Sequence, residues 1–198
     1  DLFIEAYDLY LAYSTDDGTT WSKPFTPHHD GTTTQHGFAS IFERPNGGVG
    51  LVWLDGRQQE LDLDSPKGGA MSLRFAAFDT EWRQTANMLV DSRVCECCPT
   101  TVGLTSEGVI TAYRNRTEAE IRDIHVSRLI ADAWTSSTAV HNDEWEIEAC
   151  PVNGPMLSTR GNQVVVTWFT AAGEETHAYG AFSDDGGQTF KTPIPLND

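Results

Sequence analysis

Apolar and polar residues alternate along most of this chain. FASIFE, GLVWLDG, SLRFAAF, TTVGLT, VITAYR, IRDIHVSRL, GPMLST, QVVVTWF and HAYGAFS each place apolar side chains at every second position. That period suits half-buried or fully buried β-strands. DLYLAYS, near the start, shows the same alternation and predicts one more strand. Gly-containing turns (PNGG, TSEG, TRGN) precede the segments ending at Val52-Trp53-Leu54, Ala112-Tyr113-Arg114 and Thr167-Trp168-Phe169. No amphipathic helix emerges. NRTEAEIR at 115–122 has a helical composition, but it falls where a loop between strands is expected and predicts a single turn at most.

A turn motif interrupts the alternation twice. STDDGTTW at 14–21 and SDDGGQTF at 183–190 both fit Ser-x-Asp-x-Gly-x-Thr-(Trp/Phe), through Ser14, Asp16, Gly18, Thr20 and Trp21, then Ser183, Asp185, Gly187, Thr189 and Phe190. The Asp carboxylate can accept backbone N–H groups of its own turn, and Gly supplies a positive φ. The hydroxyls add local bonds, and the aromatic is expected to insert between neighbouring elements. Weaker copies end at Trp82 and Trp134, so the unit recurs about every 55 residues, a length suited to a four-stranded propeller blade.

These two turns resemble the Asp-boxes of the sialidase (neuraminidase) superfamily. The resemblance implies an all-β, six-bladed propeller of sialidase type, with about three and a half blades in this chain by the four-strands-per-blade rule. The blade pieces are 1–35, 36–94, 95–149 and 150–198. Because the chain opens partway through a repeat, it reads as a fragment, a processed piece or one partner of a split propeller. A further chain or segment is then expected to complete the ring, since open blade faces and strand edges are a liability.

Blade topology sorts the polar residues. The loop leading into strand 1 and the loop leaving strand 2 lie on one face, and the Asp-box turns lie on the other. The first face gathers Gln35-His36-Gly37, Cys95-Glu96-Cys97-Cys98-Pro99 and Glu148-Ala149-Cys150-Pro151. It also receives Asp55-Gly56-Arg57 and Arg114-Asn115-Arg116, the latter leading on to Glu118, Glu120 and Arg122. The substrate-binding candidates are therefore His36, Asp55, Arg57, Arg114, Arg116, Glu120, Arg122 and Glu148. The family resemblance implies an arginine cluster gripping a substrate carboxylate, which a guanidinium fork matches bidentately. It also implies a Tyr–Glu nucleophile pair and an Asp acid/base. No Arg-Ile-Pro motif occurs, and no acid/base Asp aligns.

The four cysteines, Cys95, Cys97, Cys98 and Cys150, read two ways. They form two disulfides, or one plus a vicinal Cys97–Cys98 bridge, joining adjacent blades. Alternatively Cys95, Cys97, Cys98 and Cys150, with His36 as an outside candidate, bind a soft metal such as copper(I) or zinc. No cofactor is otherwise expected. His28-His29-Asp30 and Asp62-x-Asp64 could contact a metal, with exposed polar loops as the plainer account. An even cysteine count suits an extracellular or periplasmic compartment.

Charge narrows the partners. The 198-residue chain carries a net charge of −16, which argues against nucleic acid and anionic membranes. No apolar run is long enough to span a bilayer. No Gly-x-Ser-x-Gly, His-Glu-x-x-His or phosphate-loop motif occurs. Three functions remain: an exo-glycoside hydrolase acting on a sugar acid by a retaining mechanism, a non-catalytic propeller binding a glycan or protein, and a cysteine-built metal or redox site.

Overall fold

The computed structural model describes residues 6–45, 47–61, 69–173 and 175–197. Asp62 and Asp64 lie outside them. The fold is all-β, built from antiparallel meanders. The first sheet is β1 (His36–Glu43), β2 (Val49–Asp55), β3 (Ser72–Phe78) and β4 (Gln84–Asp91). The second is β5 (Thr101–Leu104), β6 (Val109–Arg114) and β7 (Ile124–Ile130), with the outer position split between β8 (Ala133–Trp134) and β9 (Thr138–Ala139), both paired to β7. The third is β10 (Met156–Arg160), β11 (Gln163–Thr170), β12 (His177–Ser183) and β13 (Ile194–Pro195).

The sheets pack face to face in chain order. Leu54, Leu73 and Phe75 of the first sheet share a core with Val109, Tyr113 and Leu129 of the second. Ile110, Ala112 and Val126 of the second then pack with Val164, Val166 and Trp168 of the third. Central strands covered on both faces explain why VITAYR is buried at every position. The first strands neighbour one another, β1 against β5 and β5 against β10.

The N-terminal stretch departs from expectation. DLYLAYS forms no strand: Leu11 makes an isolated bridge with Phe25, and Tyr7, just before the segment, makes another with Gln35. Leu9, Leu11 and Phe25 instead pack on Leu51 and Trp53 of the first sheet. Alternation supplied an apolar face here without a sheet partner along the segment. β4 is where Ala86, Met88 and Val90 alternate toward the core. The five-residue helix α1 (Arg57–Leu61) was not expected; Asp55 Oδ1 accepts the Arg57 N–H at 3.1 Å and starts it. Residues 115–122 close as a tight turn, with Glu120 at φ 60° and its N–H donating to the Thr117 carbonyl.

The two turn motifs share one hydrogen-bond scheme. Asp16 Oδ1 accepts the Thr20 N–H at 2.8 Å, and Oδ2 accepts the Thr20 hydroxyl at 2.7 Å. Asp185 takes the same bonds from Thr189 at 3.0 and 2.6 Å. Ser14 and Ser183 donate to their Asp and accept from Gly18 and Gly187, whose φ values of 84° and 83° suit glycine. Asp79 keeps the acceptor role in the weaker copy, taking the Arg83 N–H at 2.9 Å. The aromatics differ. Phe190 packs against the core shared by the second and third sheets, whereas Trp21 is 65% exposed and inserts between nothing among the described residues.

Bonds from Thr20 hold the Asp16 carboxyl down at about 2, and those from Thr189 hold Asp185 well below the usual carboxylate range. Both groups are depressed in the folded state, so their stabilisation is complete above about pH 4 and is lost as pH falls through the folded values. Urea unfolding of D16N or D185N between pH 5 and 2 is expected to show a flatter pH dependence than the parent. D185A, which strands several donors at a partly exposed turn, is expected to cost about 1 kcal/mol at pH 7.

Candidate functional site

Strand pairing brings the polar loops to one edge of the sheets. His36, opening β1, is paired with Asp55, closing β2. Val94, just before the cysteines, bridges Asn115, just past the end of β6. The segment holding Cys150 leads into β10, which pairs with β11. At this edge the side chains form two clusters and one buried strut.

The strut is Arg114, 1% exposed. Its Nε donates to the Asn153 carbonyl at 2.9 Å, Nη1 to Arg122 at 2.6 Å and Nη2 to Phe169 at 2.8 Å, while the guanidinium lies 4.9 Å from the Trp145 ring centre. Burial lowers its pKa to about 10, so it remains charged at neutral pH. With all three nitrogens committed to main-chain oxygens, Arg114 cannot also fork onto a substrate carboxylate. It leaves the set of expected ligand-binding arginines because it is buried among the main-chain oxygens it holds.

The first cluster is an arginine–glutamate grid. Arg116 places Nε 2.9 Å and Nη2 2.8 Å from the Glu120 carboxylate, and Nη1 pairs with Glu96. Arg122 reaches Glu96 at 2.9 Å and Glu120 at 3.0 Å. Hydrogen bonds from Arg116, then Arg122, hold Glu120 below its ordinary pKa, so it is an anion and not a proton donor at neutral pH. Glu148 is exposed, outside both clusters. Glu96 was visible in the sequence within the cysteine run but was not singled out. It sits inside the loop that Cys95–Cys98 closes.

The cysteines pair as Cys95–Cys98 and Cys97–Cys150, with Cα separations of 5.7 and 6.3 Å. No vicinal bridge forms, and no described cysteine is free. Sulfurs in disulfides are not thiolate ligands, so the oxidised chain holds no cysteine metal site, and His36 lies in the other cluster. Cys97–Cys150 ties the approach to the second sheet to that of the third.

The second cluster surrounds His36. His28 and His36 stack with ring centres 3.8 Å apart and planes 2° from parallel. Asp30 Oδ2 lies 3.3 Å from His28 Nδ1 and 3.2 Å from His36 Nε2. Arg57 grips Asp55 through Nε and Nη2, both at 2.7 Å, and approaches Asp30 at 3.2 Å. Trp53 Nε1 donates to Asp55 at 2.9 Å. Burial lowers the His28 pKa, and the neighbouring His36 adds to that. Burial alone would raise the Asp30 pKa, but bonds from Thr32 and the charge of Arg57 outweigh it and hold it well below the carboxylate range. His28 and Asp30 are buried, against the expectation of an exposed polar loop. The available signal was their i, i+2 spacing, which turns both to one side with His29 outward.

Two outcomes test these assignments. R114M, leaving buried carbonyls unpaired, is expected to cost about 3 kcal/mol in denaturant unfolding. Without reductant no thiol should alkylate, and the C97S/C150S double variant should lose about 4 kcal/mol, from the 53-residue separation of that bridge.

No family model and no curated relative matches this chain. Among solved structures it is similar to Zg3597, a family 117 glycoside hydrolase of the marine bacterium Zobellia galactanivorans, with a TM-score of 0.52 and 13% identity over 98% of this chain and 62% of that one. It also matches the Hadza microbial sialidase Hz136, with a TM-score of 0.37 and 12% identity over 99% of this chain and 53% of that one. This chain thus spans less than two thirds of either protein. The likeness to Zg3597 is one of fold, and the fold of this chain is all-β.

Proposed function

We propose that this chain forms about three and a half blades of a six-bladed, sialidase-type propeller, and that its loop-bearing edge binds a carbohydrate carrying a carboxylate. The observation that carries this reading is that Arg57 in one cluster, and Arg116 and Arg122 in the other, stand beside carboxylates on the segments that leave the second strands of the first two sheets. In this reading an anionic ligand displaces part of these ion pairs, taking guanidinium N–H groups while the freed carboxylates accept sugar hydroxyls. The shared turn motif supports the blade reading. Phe190 is covered by the second sheet, whereas Trp21, at the matching position, has no sheet before it among the described residues. Missing blades, from another chain or segment, would cover it.

Hydrolysis of a sugar acid by retention requires one carboxyl held protonated and a second nucleophile. Glu120 and Asp30 are held anionic and suit charge stabilisation or attack, not proton donation. In this reading the acid comes from the blades that complete the ring. A non-catalytic binding propeller is the second reading, favoured by the commitment of all three Arg116 nitrogens and both terminal nitrogens of Arg122 to protein carboxylates. The disulfides and the glycosidase-like fold suit an extracellular or periplasmic protein.

The test is a panel of fluorogenic sialosides and uronides assayed alongside binding of the free sugar acids, for the parent and R116Q. Saturable binding that weakens at least tenfold in R116Q, with unfolding unchanged, is the expected result. Turnover would assign a hydrolase, and binding without turnover the second reading. A parent that binds none of the acids, or an R116Q variant that binds them equally well, overturns the proposal.

A further inference from the structure

The stacked histidines pose a problem of lone pairs. Each ring has one nitrogen directed toward Asp30: His28 Nδ1 at 3.3 Å and His36 Nε2 at 3.2 Å. Neither contact has hydrogen-bond geometry, but Asp30 Oδ2 is the carboxylate oxygen next to both nitrogens; with N–H placed toward it on each ring, His28 Nε2 and His36 Nδ1 are left as bare acceptors. Both of these nitrogens lie 3.8 Å from one atom, Asp8 Oδ1. Three acceptors therefore lie close together, and neither buried nitrogen has a hydrogen-bond partner among the described residues. Burying such atoms unpaired is costly unless something positive joins them.

We propose that His28 Nε2, His36 Nδ1 and Asp8 Oδ1 bind a divalent transition-metal cation of the zinc class, with Asp30 as the carboxylate behind both imidazoles. Two neutral imidazoles and a carboxylate are a donor set for such an ion. Bonds of about 2.0–2.2 Å to tetrahedral zinc place its ligand atoms about 3.4 Å apart, so binding draws in the 3.8 Å contacts and tilts the two parallel rings apart until the ion lies in the plane of each. The three donor atoms lie within 4.8 Å of one another. Asp30 supplies the outer carboxylate that commonly orients metal-bound histidines.

The opposite side of the rings, toward Asp30 and Asp55, is a poorer cation site although its donors are equally close. Arg57 already neutralises both carboxylates there, at 3.2 and 2.7 Å. Among the described residues, no guanidinium pairs with Asp8. The Asp8 side is also preorganised: the His36 N–H donates to the Tyr7 carbonyl at 2.9 Å, which fixes the backbone beside Asp8 against that of His36. Tyr7 lies so close over Gly37 that a Cβ there would meet its ring at 2.7 Å, so glycine after His36 allows the approach. Asp8 is 46% exposed, so the fourth position opens to solvent, where a bound water or a ligand oxygen could be polarised. This inference rests on the His–Asp geometry and is independent of the sugar-acid reading.

The test is cobalt(II) titration of the chelator-treated full chain, followed by visible absorption, with zinc competition and calorimetry. The parent should take up one cobalt per chain with an intense tetrahedral band that zinc abolishes. H28Q should lose the band and weaken binding at least a hundredfold. D8N, altered at a half-exposed side chain and expected to unfold like the parent, should weaken it about tenfold. H141A removes a separate surface His–Asp pair and should change nothing. A parent that takes up no cobalt, a D8N variant that binds like the parent, or loss of the band in H141A would each overturn the site.

Discussion

The edge of this molecule depends on one buried cation. Arg114 extends from the end of β6 and donates to carbonyls of Arg122, Asn153 and Phe169, which belong to three different segments of the second and third sheets. Irregular loops cannot satisfy their carbonyls within a sheet ladder, so burying them requires donors from elsewhere. A planar guanidinium with five N–H groups meets several such acceptors at once, which a lysine cannot do with the same fixed geometry. With those loops held, Arg116 and Arg122 can project to the grid with Glu96 and Glu120.

Two disulfides and a run of charge pairs then refine the edge. Cys95–Cys98 closes a loop around Glu96, and that carboxylate joins Arg116 to Arg122. Across the first sheet, Asp55 does similar work: it starts α1, accepts from Trp53 and holds Arg57. Both clusters are built from residues at strand ends and on the segments that join them, so the sheets set where the charges stand and the loops set which charges they are.

Much of this was legible from period alone. Strands buried between sheets, such as VITAYR and QVVVTWF, announce themselves because two-residue alternation and apolar content agree. DLYLAYS shows the limit, since alternation specifies a face but not the partner that makes a strand. The edge was legible as a place and less so as chemistry. Arg114 and Arg116 look alike in sequence, yet one is spent on carbonyls and the other meets carboxylates. His28 and Asp30 lie in a stretch rich in Thr, Pro and Gly, whose burial comes from tertiary packing that local pattern does not encode.

The order of the cysteines has a consequence for biogenesis. Cys95, Cys97 and Cys98 emerge together, and Cys150 follows 53 residues after Cys97. At about 5–20 residues per second, that gap lasts roughly 3–10 s. Throughout it, Cys97 has within this chain only Cys95 and Cys98 as neighbours. Any bridge it makes in that interval is a wrong one that must be exchanged once the third sheet arrives. Early closure of Cys95–Cys98 avoids this by leaving Cys97 without an intrachain partner, whereas a chain that has paired Cys97 early reaches the native grid only through thiol–disulfide exchange.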